Sequence, residues 1–74
     1  MTLHAYLTSL RESRSLGLAE SARAARLDRS VLWRWENGQR RPDYDQLRAL
    51  LDCYAGTAVE RDEAERLRLL GVGL

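Results

Sequence analysis

Between Asp28 and Asn37 the sequence places two arginines, a serine, an asparagine and a tryptophan in a common register. At about 100° per residue, Arg29, Ser30, Trp33, Arg34 and Asn37 fall within an arc of roughly 140°. Val31, Leu32 and Trp35 fall on the opposite side. A helix divided in this way buries one side and offers the other. Guanidinium forks match the O6 and N7 acceptors of guanine, and apolar groups touch the thymine methyl, so the chemistry on offer is the reading of base edges in a major groove. A merely solvated charged face is the plainer reading of the same arc. Trp33 fits it poorly, because an indole facing water is costly surface. Gln39-Arg40-Arg41-Pro42 follows directly, and both arginines can reach backbone phosphates.

No other grouping of residues carries chemistry. Cys53 is the single cysteine and His4 the single histidine, so neither an internal disulfide nor a His/Cys metal site is expected. There is no Ser/His/Asp set and no glycine-rich phosphate loop, so no enzyme, catalytic residue or cofactor is expected. The carboxylates of Glu60, Asp62, Glu63 and Glu65 read as the solvated first turn of a helix, where acids suit the positive end of the dipole. Cys53, beside Leu50 and Tyr54, reads as a small core or boundary residue.

The elements that must position the arc are helices. Leu3, Tyr6, Leu7 and Leu10 recur at the helical period behind Thr2, a candidate cap. Gly17 marks a break, and Leu18, Ala22 and Ala25 share the face of a short second helix. Arg26-Leu27 is a candidate turn and Asp28 an N-cap for the third helix, which Asn37-Gly38 ends. Asp43 with Gln46 resembles a capping box for a fourth helix bearing Leu47, Leu50, Leu51 and Tyr54, and Gly56 stops it. Thr57 and Glu60 cap a fifth, carrying Ala64, Leu67 and Leu70. Residues 18–25 and 28–37 are joined by very few residues, which forces a tight helix–turn–helix. The start of the second helix, at Leu18, then offers its backbone N–H groups to a phosphate. The expected fold is all-α: a compact bundle of five helices in one domain spanning 1–74, with 70–74 a flexible tail.

The 74 residues are 45% hydrophobic and 31% charged, a globular balance, with no Phe. The net charge of +1 conceals an asymmetry. Residues 11–41 hold eight Arg against four acids, whereas 42–74 hold four Arg against seven acids. Segregated charge points to one face for a polyanion. Met1-Thr2-Leu3-His4 lacks the features of a secretion signal, and no stretch approaches the ~20 apolar residues of a membrane span. The expected location is therefore cytoplasmic, with no membrane partner.

With Leu16, Ala22, Asp28-Arg29-Ser30, Trp35-Glu36-Asn37-Gly38 and Arg40-Arg41-Pro42 at these spacings, the run Leu10–Tyr54, about 45 residues, resembles the Xre family. This is the phage-repressor, Cro-like type of helix-turn-helix domain. The resemblance implies a transcriptional regulator, with double-stranded DNA as partner and repression by occupancy of a promoter. It implies base-edge contacts from Arg29, Ser30, Trp33 and Arg34, and phosphate contacts from Asn37, Arg40 and Arg41. It also implies a partly buried ion pair between Arg11 and Glu36. Leu18 stands where the family has a phosphate-contacting Gln, and Ser21 where it favours a larger apolar residue. Arg26 stands at a turn position the family gives to Gly. A left-handed Arg costs roughly 1 kcal/mol, so a turn of another shape is expected there. The departures keep a second reading open, a protein-interaction module on the same fold such as an antitoxin or adaptor. Leu67, Leu70 and Leu74 at i, i+3, i+7 either close the core or pair two copies into a homodimer.

Overall fold

The Thr2 hydroxyl accepts the Ala5 N–H and opens the first helix, α1 (Leu3–Ser13). The computed structural model describes residues 1–71, and these form five helices and no strand. After α1 come α2 (Leu18–Ala24), α3 (Arg29–Glu36), α4 (Tyr44–Cys53) and α5 (Ala58–Leu70). Asp28 caps α3 through the Ser30 N–H, and Asp43/Gln46 and Thr57/Glu60 close reciprocal capping boxes on α4 and α5.

The apolar stripes meet in one core. Leu7, Leu32, Leu50 and Ala64 are fully enclosed, with Leu10, Ala22, Trp35, Leu47, Leu51, Tyr54 and Leu67 around them. α1 packs on α3 and α5, α2 on α3 and α4, and α4 on α5. Ala22, a small buried residue, faces this interior from α2. Ser21, also on α2, is buried, and neither its Oγ nor the Tyr54 Oη makes a hydrogen bond. Burial pushes the Tyr54 phenol pKa up.

The helices end in a repeated way. Leu16 N–H donates to Arg11 O, Leu27 N–H to Ala22 O and Gly56 N–H to Leu51 O, while Ser15, Arg26 and Ala55 donate to Glu12, Arg23 and Asp52. These are Schellman caps on α1, α2 and α4. Each puts a non-glycine residue in the left-handed region: Ser15 at φ 55°, Arg26 at 58° and Ala55 at 51°. The expectation that Arg26 would avoid this conformation is therefore overturned. The two paired N–H groups and the packing of the half-buried Leu27 against the core hold Arg26 there. The break after α1 runs from Arg14 to Gly17 as expected, with the chain reversing at Ser15 and Gly17 capping α2. The stop after α4 falls at Ala55, while Gly56 is small because a Cβ would meet Leu51 Cδ1 at 2.8 Å. Only α3 ends on a left-handed glycine, Gly38 at φ 72°. Cys53 is exposed rather than part of the core, because it lies on the outer side of the last turn of α4. α5 continues helical to Leu70 with Gly71 as its cap, and Leu74 lies outside the described residues.

Candidate nucleic-acid interface

α3 is divided as its sequence requires. Leu32 and Trp35 are buried, Trp35 only 2% exposed, and Val31 is half-buried against the core. Arg29, Ser30, Trp33, Arg34 and Asn37 are exposed, with Trp33 at 45%. Arg29, Ser30, Trp33 and Arg34 line one open groove between α3 and the start of α2, to which Leu18 contributes. Arg23 of α2 and Gln39 line the same groove. No motif marks either residue in the sequence, although Arg23 belongs to the same excess of arginine.

Ion pairing separates the arginines into two groups. Arg11, Arg14, Arg61, Arg66 and Arg68 each bind a carboxylate. Among the described residues, Arg23, Arg26, Arg29, Arg34, Arg40, Arg41 and Arg48 form no ion pair, and all but Arg48 lie between α2 and the loop after α3. The two acids at the groove are both engaged with backbone amides. Asp28 Oδ1 accepts from Ser30 N–H at 2.8 Å and from Ser30 Oγ at 2.7 Å, and these bonds, the hydroxyl's first, hold the Asp28 carboxyl below the usual carboxylate range. Glu20 Oε1 accepts the Gly17 N–H at 3.1 Å. The groove thus presents unpaired cations beside two carboxylates, each of which accepts a backbone amide.

Behind the groove, α3 is fastened to α1. Arg11 Nε donates to Glu36 Oε2 at 2.8 Å and Nη2 to Oε1 at 2.9 Å, and Thr8 Oγ1 adds a third bond at 3.1 Å. The remaining arm, Arg11 Nη1, donates to Leu16 O in the turn before α2. The two side chains are 15% and 6% exposed, and the bond to Glu36 raises the Arg11 pKa against the opposing effect of burial. One ion pair therefore fixes the angle of α3 and the turn that leads into α2.

Three of the expected contacts sit differently. Asn37 Nδ2 donates to Trp33 O at 2.8 Å, closing the end of its own helix while remaining at the surface. Leu18 begins a helix of only seven residues, whose first turn already carries the Glu20 carboxylate, so a phosphate there would meet negative charge. Arg41 turns away from the groove, and its Nη2 donates to Arg68 O at 2.8 Å in the last turn of α5. The partial negative charge at a helix C-terminus attracts a cation, whereas Arg40 stays exposed and forms no ion pair among the described residues.

Two short helices joined by a tight turn, the second carrying an outward polar face, define a helix-turn-helix domain. A helix-turn-helix domain family model matches residues 3–64, all but the two ends of the chain, and the protein belongs to that family. No curated protein and no solved structure matches the chain.

Proposed function

We propose that the protein is a sequence-specific DNA-binding regulator of the Xre, phage-repressor-like type, which lays α3 in the major groove and represses by occupying a promoter. One observation carries this reading: among the described residues Arg23, Arg29 and Arg34 line one groove of α2 and α3 without an ion pair, and Arg26 and Arg40 lie in the turn and loop beside these helices, whereas Arg11, Arg14, Arg61, Arg66 and Arg68 are each neutralised by a carboxylate. Arg29 and Arg34 suit guanine edges, Ser30 a base or its neighbouring phosphate, and Trp33 a thymine methyl. Arg40, with Asn37 and Arg23, suits the backbone. Selection from a random duplex pool at low salt should enrich one sequence. Affinity for that sequence should fall steeply as salt rises, because phosphate contacts release counterions. A pool that stays random would defeat the reading. Two copies pairing through the exposed Leu69 and Leu70 of α5 would make the selected sequence a palindrome, with half-sites about 34–36 Å apart.

One observation favours a second reading. The exposed Trp33 shares its groove with Leu18 and with the Glu20 carboxylate, a mixture that also suits a protein partner, as in an antitoxin or adaptor. A partner that shields Trp33 and competes with the selected duplex would support it.

A further inference from the structure

Arg40 and Arg41 are neighbours with opposite destinations. The backbone of their loop is tied to the end of α3, where Gln39 N–H and Arg40 N–H both donate to Arg34 O, at 2.9 and 3.3 Å. The Arg41 guanidinium reaches the other way, to Arg68 O at 2.8 Å and Leu67 O at 3.4 Å. These are among the last four carbonyls of α5, which have no partner within their own helix. The route lies directly over Gly71, where a Cβ would fall 1.6 Å from Arg41 Nη1 and 2.1 Å from its Cζ. No residue with a side chain at position 71 could share that space with Arg41 as it stands. Arg41 therefore links the loop behind the recognition helix to the last turn of α5, and Gly71 is the opening that admits it.

We propose that Arg41 is a positioning residue through which the end of α5 sets the loop 39–42, and with it the presentation of Arg40 and the end of α3 to DNA. The proposal rests on the DNA-binding reading and deepens it. It assigns Arg41 a role without contact to phosphate, and it makes the grip on DNA sensitive to whatever disturbs the end of α5.

The test uses the full chain with Arg41→Ala, Arg41→Lys, Gly71→Ala and the Arg41→Ala/Gly71→Ala double variant, each shown to be folded by its melting transition. Binding to the selected duplex is measured across a salt series, and amide exchange at Gln39 and Arg40 is measured without DNA. Arg41→Ala and Gly71→Ala should each weaken binding by about 3- to 30-fold. The double variant should be no weaker than Arg41→Ala, and Arg41→Lys should recover part of the loss. The salt slope should stay at the unaltered chain's value, and the two loop amides should exchange faster in both single variants. A slope reduced by about 0.9 in Arg41→Ala would instead mark a direct phosphate contact and overturn the proposal. So would a Gly71→Ala chain with unaltered affinity and exchange. Should the unaltered chain bind no DNA, the proposed function fails; exchange then decides the link by itself, and unaltered loop amides would refute it.

Discussion

Glu36 receives three donors from α1, two from Arg11 and one from Thr8, and is almost fully covered. Removing its charge leaves the Arg11 cation in a half-dry site with a poorer partner. Glu36→Gln should destabilise the fold by up to about 3 kcal/mol, the low end for a broken buried pair. It should appear as a lower urea midpoint with the slope of the transition preserved. Glu60 behaves differently because it is solvent-accessible. The Arg14 guanidinium, then the Thr57 backbone amide, hold its pKa down at about 2. A folded-state value below the unfolded one means that the stabilisation is complete above about pH 4.5 and is lost as the pH falls toward 2. The stability difference between the unaltered chain and Glu60→Gln should narrow across that interval in acid melts. At the groove, Arg34→Ala should relax selectivity at a single base pair, at about 1–3 kcal/mol, measurable with a panel of point-substituted duplexes.

At the scale of elements, three Schellman caps carry Ser15, Arg26 and Ala55 where glycine is the easiest occupant. Arg26→Gly should raise stability by about 0.5–1 kcal/mol by removing the left-handed penalty, with Ser15→Gly and Ala55→Gly acting in the same direction, as thermal melts would show. Gly38→Ala should do the reverse, since a Cβ there would meet both a left-handed φ and the His4 ring at 3.0 Å. The five helices were legible because stripe and cap coincide in the sequence at Thr2, Asp28, Asp43/Gln46 and Thr57/Glu60. The outward arc of α3 was legible for the same reason. The turn at Arg26 was not, because local propensity yields to the pull of Leu27 into the core. Nor was the direction of Arg41, which depends on an α5 terminus some 26 residues further on. The tie from Arg14 to Tyr54 O and Glu60 was equally hidden, because it joins three helix ends that meet only in the folded chain.

For the whole molecule, charge and shape act together. No helix among the described residues is long and apolar enough to cross a membrane. The acids concentrate on α4 and α5 and most of the arginines without an ion pair lie earlier in the sequence, a charge separation that would orient the molecule toward a polyanion. Its longest dimension is 31 Å. That is less than the half-site spacing of about 34–36 Å that the proposed pairing of two copies would require.

The unequal burial of the two tryptophans also gives the protein an internal pair of optical probes. Trp35, sealed in the core, reports unfolding by a red shift of its emission. Trp33, open to solvent at the groove, is the indole that a soluble quencher reaches and that a bound duplex would shield. Replacing either one with phenylalanine, a residue absent from the chain, would leave a single-channel fluorimeter for folding or for occupancy.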